Sequence, residues 1–490
     1  MDHKTDNAPV IVWLRQDLRL SDNPALHHAV TDQPNAAILF LYILDEVSEG
    51  TRAMGAAQKW WLHHSLTSLG RDIQALGGQL ILRSGPATDI IDDVMQQSGA
   101  VKICWNRRYG EGEQNVDRQV KAKYGDAAKS FGGMLLHEPS QIRTGSDMPY
   151  KVYTPFWKKL CAGPPPRLPL PRPDHVPGAG PQLESEELAS WSLLPTSPDW
   201  AGEIHQNWQP GEAGAGKQLA KFAAENINSY GANRDFPGPD RTARISPHLR
   251  FGEISPYQLW HASFPSGGSR LDETSQKSRE TWRKELVWRE FSYHLLQEWP
   301  DLDSQNFNPK FDGFPWTTQP EKLAAWQSGQ TGYPIVDAGM RQLWRTGWMH
   351  NRVRMIVGSF LVKHLLIDWR EGERWFWDTL VDGDPAANPA QWQWVAGTGA
   401  DAAPYFRIFN PILQAQKFDP KGTYIHQYVP ELAKLPAKFL AAPWEAPEWE
   451  LAKAGVRLGE TYPKPIVDHQ QARSRALDAL QSLNQAAESA

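Results

Sequence analysis

Short apolar runs alternate with helical stripes through the first third of the chain. Val10–Leu14 is an unbroken apolar run of strand length, and Ile38–Leu44 is a second. Between them, Asp22-Asn23-Pro24 reads as a helix start, with a capping side chain ahead of a proline at the first helical position. Ala56–Leu76 has the apolar spacing of a long amphipathic helix and contains Lys59-Trp60-Trp61-Leu62-His63-His64. Leu80–Leu82 and Val101–Trp105 predict two further strands, a helical stretch from Pro86 to Gln97 separates them, and Leu135-Leu136 predicts a fifth strand. This alternation implies an α/β domain over residues 8–140, Rossmann-like, with a parallel five-stranded sheet covered on both faces. Ligands on such sheets sit beyond the carboxyl ends of the strands.

The pattern then changes. Residues 141–212 read as an interdomain connection, and from 160 onward they are rich in Pro, Gly and Ser, as in Gly163-Pro164-Pro165-Pro166-Arg167. From Gly214 the periodicity is helical almost throughout, interrupted at 235–240, 265–268 and 311–315, and β-branched runs are scarce. Residues 213–480 are therefore expected to form an all-α domain.

Composition narrows the classes of function. The 490 residues carry a formal net charge of -5, so a uniformly basic nucleic-acid coat is excluded while a local basic patch is not. Cys104 and Cys161 are the only cysteines, which excludes a disulfide scaffold and a four-cysteine metal site and suits a reducing cytoplasm. No apolar run reaches membrane length and the first residues lack a signal-peptide core, so a cytoplasmic protein without membrane contact is expected; a monomer is expected as well. The 23 tryptophans exceed what a core needs, and 15 of them lie from Trp260 onward.

Several familiar chemistries lack their residues. Gly211–Gln218 nearly fits a phosphate loop, but Gln218 replaces the magnesium-binding hydroxyl and no apolar strand precedes it, so a Gly-rich helix start is the plainer reading. No GxGxxG follows a strand, and HExxH, CxxC and GxSxG are absent; no metal site is expected. An enzyme of this composition would draw its chemistry from a bound cofactor.

Four segments of the helical region look unlike ordinary core. Arg234-Asp235-Phe236-Pro237 with Arg241–Pro247 gathers arginines, hydroxyls and backbone donors ahead of a helix, either a pyrophosphate-binding loop or a solvated cap. In Trp282–Phe291, Glu285 lies three residues from both Trp282 and Trp288, placing one acid between two indoles on a single helix face. That is an aromatic site with one polar handle, or an amphipathic surface helix with a tryptophan anchor. Trp348–Met355 is a basic, polar helix start before the mostly apolar Ile356–Leu366; it suits a phosphate or a flavin edge, or a solvated first turn. Asp382–Trp394, continued by Thr398–Pro411, crowds acids, an amide and two indoles beyond what a turn needs, and a functional site is favoured over a structural loop.

At these residues the chain resembles the photolyase/cryptochrome family, most of all bacterial class I photolyases acting on cyclobutane pyrimidine dimers. The resemblance runs from Trp13–Arg19 to Pro463–Val467 and includes Pro149–Phe156 and Gly332–Arg374. It implies an α/β antenna domain, a surface linker and a helical C-terminal domain holding FAD. By matching motif, Tyr230 and the run Thr242, Ala243, Arg244, Ile245 and Ser246 correspond to the FAD phosphate loop, with Ala243 where Ser is common. Trp282, Trp348, Arg354, Asp382, Gly383 and Asp384 match flavin-pocket positions, and Asn388 matches the amide facing flavin N5.

Glu285, Trp288, Asn351, Arg352, Met355 and Trp394 match the pocket for a flipped-out lesion, with Glu285, Asn388 and Met355 nearest the chemistry. Trp392, Trp369 and Trp316 match an electron-hopping chain. The function this implies is light-driven repair of UV-damaged DNA by electron transfer from reduced anionic FAD. In (6-4) photolyases, histidines take the places of Asn351 and Met355. A blue-light receptor of the cryptochrome kind is the other alternative, disfavoured by Asn388 and by the absence of a low-complexity tail after Asp468. Trp105–Tyr109 and Glu113 resemble the antenna region. Gly112 and Asp303-Ser304 depart from the folate-binding pattern, which leaves methenyltetrahydrofolate, a deazaflavin, another flavin or no antenna chromophore open.

Overall fold

The structure is a computed structural model describing residues 8–177, 180–265, 270–402 and 406–489. Residues 403–405 of the fourth segment, and 266–268 of one expected break, lie outside the described residues.

The expected α/β fold forms. Strands β1 (Val10–Leu14), β2 (Ile38–Leu44), β3 (Leu80–Ser84), β4 (Lys102–Asn106) and β5 (Ala128–Phe131) make one parallel sheet in the order β3-β2-β1-β4-β5. Every residue of β1 is buried, which is why it reads as a continuous apolar run rather than an alternating one. Val10 pairs with Ile38 on one side and Lys102 on the other, so strand order reverses between β1 and β4 and opens a crevice at their carboxyl ends. The connecting helices are α1 (Pro24–Asp32), α2 (Ala56–Ala75), α3 (Ala87–Ser98) and α4 (Glu111–Tyr124). Asn23 caps α1 by accepting the Leu26 N–H at 3.1 Å, with Pro24 at the first position, as its sequence implied.

The fifth strand is not Leu135-Leu136. It is Ala128–Phe131, an edge strand whose sequence AKSF is mostly half-buried and so lacks an apolar run. Leu135 and Leu136 are buried, but the Leu136 N–H is taken by the Glu290 carboxylate rather than by a strand. The apolar pair marked burial, not extended pairing.

Within 141–212, α5 (Tyr153–Ala162) is the longest element. α6 (Glu212–Glu225) begins at Gly211, whose φ of 106° suits a residue without Cβ and whose N–H donates to Glu253; this is the plain helix start. The 26-residue α7 (Glu273–Glu298) follows. Beyond it lie α8 (Pro334–Thr346), α9 (Asn351–Ser359) with a π-helical turn at Phe360–His364, α10 (Trp369–Thr379), α11 (Ala387–Ala396) and the terminal α12 (His469–Ser489).

Contacts gather the chain into two compact units, Met1–Gly231 with Ala243–Pro300, and Ala232–Thr242 with Asp301–Ala490. α6 and α7 thus belong to the unit that holds the sheet. The second unit has its own core, which includes Trp326, Tyr333, Trp369, Phe376 and Trp392. No helix among the described residues is long and apolar enough to cross a membrane.

Candidate functional site

In the first unit, α7 presents Trp282, Glu285 and Trp288 at three-residue spacing, with Trp282 buried and the other two half-buried. The Trp282 ring packs 5.2 Å from Phe222, and Phe222 meets Tyr230 edge-on at 5.6 Å. Trp282, matched to the flavin pocket, and Tyr230, matched to the FAD phosphate loop, are therefore joined through Phe222, which no motif had singled out. Trp288 stacks on Tyr153 of α5 at 3.8 Å and 6°, and the Tyr153 hydroxyl donates to the Lys284 carbonyl at 2.8 Å. A planar ligand on Trp288 is thus confined to the face opposite Tyr153.

Ala243 is buried and its carbonyl accepts from Gln218 Nε2 at 2.8 Å. Arg244 has φ 46°, followed by right-handed Ile245 and then Ser246, which opens a five-residue helix. A left-handed residue beside a right-handed one turns successive N–H groups to one side, an arrangement that accommodates anions. These donors are backbone groups, so Ala243 in place of Ser costs the loop none of them.

In the second unit, Trp348 leads into His350, whose Nδ1 accepts the Arg352 N–H at 3.2 Å and caps α9. Asn351 is exposed, and Arg352, Arg354 and Met355 are half-buried. Arg352 pairs with Asp235 at 2.9 Å and lies 4.5 Å over the Phe418 ring. Arg354 forks onto Asp382 at 2.8 and 3.0 Å and donates through Nε to the Met349 carbonyl. Asp384 accepts the N–H groups of Ala386 and Ala387, which starts α11, and Gly383 between the two acids is buried. Thr242, half-buried, belongs to this unit, separated by the unit boundary from Ala243–Ser246.

Asn388 is a buried amide with a fixed orientation. Its Nδ2 donates to the Glu373 carboxylate at 2.8 Å and the Glu373 carbonyl at 3.1 Å. Both amide protons are committed to α10, so Oδ1 is the atom left to meet a ligand, as an acceptor. Glu373, only 1% exposed, was missed by the sequence reading; α10 also carries Glu371, Asp378 and two arginines, so nothing in the sequence set it apart.

The three matched tryptophans differ in depth. Trp392 and Trp369 are buried, and Trp369 Nε1 donates to Asn306 at 2.9 Å, while Trp316 is half-buried beside Phe314 at 4.4 Å. α10 passes so close to Trp392 that a Cβ at Gly372 would fall 2.1 Å from the indole. Trp394 is half-buried, its Nε1 held by the Asp401 carbonyl at 3.0 Å. At the far end of α11, the fully buried Lys363 donates to the Ala396 carbonyl at 2.5 Å and lies 3.0 Å over Phe406. A cation there complements the helix dipole, while burial pushes the amine well below its ordinary pKa.

At the carboxyl end of the sheet, Trp13 Nε1, Arg15 Nε and Arg108 Nε are buried donors without partners among the described residues. Burial also lowers the Arg108 pKa. Gly112 sits against Gly50, where a Cβ would fall 2.2 Å from the Gly50 carbonyl carbon. The asparagine of the folate-binding pattern has no room at this position.

The comparisons place this fold among flavin-binding light enzymes and their receptor kin. A profile for DNA photolyase matches residues 10–174, and one for the FAD binding domain of DNA photolyase matches residues 282–482. The deoxyribodipyrimidine photo-lyase of Agrobacterium fabrum is 52% identical, over 96% of this chain and 97% of its own. Cryptochrome-2 of Arabidopsis thaliana is 34% identical, over 99% of this chain and 80% of its own. Among solved structures, a bacterial class III photolyase from Agrobacterium tumefaciens superposes with a TM-score of 0.93 at 50% identity, covering 98% of each chain. Its class differs from the class I expected from the motifs. The chain belongs to the DNA photolyase family.

Proposed function

We propose that the protein is a photolyase that splits cyclobutane pyrimidine dimers in UV-damaged DNA under blue light, working as a cytoplasmic monomer. The observation that carries this reading is Asn388, whose amide orientation is fixed by Glu373. An acceptor held there matches the N5–H of a reduced flavin, whereas an aspartate in the same place suits the receptor branch of the family. FAD, bound reduced, supplies the light-excited electron, as cofactors carry chemistry that side chains lack.

The chain's own residues do the rest. The left-handed turn at Arg244 offers N–H groups to the pyrophosphate, and Arg354 with Asp382 forms a rigid polar pair beside Trp348. Trp288, backed by Tyr153, and Trp394 supply flat surfaces for a base flipped from the duplex, a step repair enzymes need because the target atoms are hidden by stacking. Glu285 holds a damaged base by hydrogen bond, and Asn351, Arg352 and Met355 line the lesion. Asn351 and Met355 stand where (6-4) enzymes use histidines, which favours the cyclobutane substrate. Trp392, Trp369 and Trp316 relay electrons inward from the surface. The buried donors Trp13 Nε1, Arg15 Nε and Arg108 Nε suit an anionic ring system as second chromophore better than a folate held through residue 112.

The test is illumination of purified, reduced protein with oligothymidine carrying either a cyclobutane dimer or a (6-4) product. Turnover of the cyclobutane substrate alone supports the proposal. Turnover of the other alone, or of neither, refutes it in favour of a (6-4) enzyme or a receptor.

A further inference from the structure

Helix starts are most often capped by Ser, Thr, Asp or Asn. α9 is capped instead by His350, which is 2% exposed. Its backbone N–H donates to Gln342 Oε1 at 3.2 Å, and that oxygen also accepts from the Tyr424 hydroxyl at 2.7 Å. Because Nδ1 accepts the Arg352 N–H, the neutral ring carries its proton on Nε2, which is buried without a partner among the described residues. The charged groups that act on the ring are Asp235, Arg352, Arg354 and Arg234. Burial, the largest influence, pushes the imidazole down to about 4, so the ring stays uncharged near neutrality.

The carboxylates around it are already engaged: Asp235 with Arg352 at 2.9 Å and with Arg234 at 4.0 Å, Asp382 with Arg354 at 2.8 Å. An aspartate cap would satisfy the same N–H but add an anion among three guanidiniums, competing with Asp235 for Arg352. A neutral imidazole caps the helix without drawing on them.

We propose that His350 is a positioning residue, an uncharged cap that starts α9 while leaving the Arg352 side chain oriented toward the damaged strand. This rests on the assignment of Arg352 to the lesion pocket.

The experiment measures binding of the intact flavoprotein to dimer-containing and undamaged oligothymidine by fluorescence anisotropy, together with thermal melting. The variants are His350→Asn, His350→Asp and Arg352→Ala. Asn is a strong, neutral cap, so His350→Asn should keep both the melting temperature and the preference for damage. His350→Asp should keep the melting temperature and lose about tenfold in preference, the scale of one displaced charged contact. Undiminished preference in His350→Asp, or equal losses in the Asn and Asp variants, overturns the inference. If His350→Asp does not fold, the Asn variant still decides: loss of preference at an unchanged melting temperature overturns it. Arg352→Ala separates the two readings. Loss there with none in His350→Asp sinks the role of His350 alone, and no loss in Arg352→Ala sinks the lesion assignment beneath it.

Discussion

Glu290 lies on α7, the helix that carries Glu285 and Trp288, and is 3% exposed. Its Oε2 accepts the N–H groups of Leu136 and His137 at 2.9 and 3.4 Å, and Oε1 has no partner among the described residues. Burial raises this carboxyl from 4.5 to about 7, only partly opposed by Arg289 and the two backbone donors. The folded protein therefore keeps a proton between pH 4.5 and 7 that the unfolded chain has released. Stability from this group is present below the lower value and is lost as pH rises toward the upper. At 1.36 kcal/mol per unit, the loss is about 3 kcal/mol.

Glu290→Gln keeps the shape and an oxygen for both N–H groups but cannot ionise. The stability difference should therefore be smallest below pH 4.5 and widen as the pH rises to 8, with the variant more stable. Urea denaturation at both pH values checks this, and amide exchange at Leu136 and His137 reports the same opening locally. Taking the difference between the proteins cancels every other titrating group. Parallel pH profiles would show that the carboxyl ionises in the fold without cost and refute the reasoning.

Three further outcomes are expected. Gly372→Ala forces a methyl against the Trp392 indole, 2.1 Å from its nearest atom, and should cost about 1–3 kcal/mol and slow photoreduction of oxidised FAD; wild-type melting and kinetics would contradict the packing. Trp316→Phe should slow photoreduction while leaving repair by pre-reduced enzyme intact, as transient absorption and turnover would show, and unchanged photoreduction would remove Trp316 from the relay. Glu285→Ala should lower repair yield per absorbed photon more than it lowers DNA affinity, and equal losses in both would contradict its assigned role.

The sheet was legible because β1, β2 and β4 are largely buried runs and β3 keeps the buried pair Ile81-Leu82, and only β5, an edge strand with Lys129 and Ser130, hid behind its polarity. Three-residue spacing predicted Trp282, Glu285 and Trp288 along one stripe of α7; in the structure Trp282 packs on Phe222 and Trp288 stacks on Tyr153. What stayed hidden depends on pairs distant in sequence. Glu373 acquires meaning only when α10 lies beside Asn388, and Tyr153 only when α5 reaches Trp288. Neither carries a periodic or spacing signal of its own. Lys363 was equally invisible, since a lysine in an apolar helix reads as an exposed interruption until the end of α11 is seen above it. Gly112 appeared as a departure from a family pattern; the structure gives it a steric cause in Gly50.

The Tyr153–Trp288 stack has a consequence for how the molecule tolerates change. Tyr153 sits in the stretch read from the sequence as an interdomain connection, yet its ring and hydroxyl both anchor α7. Exchanging that stretch for a flexible spacer of equal length would leave the polypeptide joined but let the Trp288 ring swing among rotamers. The segment joining sheet and helices thus holds in place the face of α7 that carries Trp288, and grafting or shortening it amounts to surgery on that face.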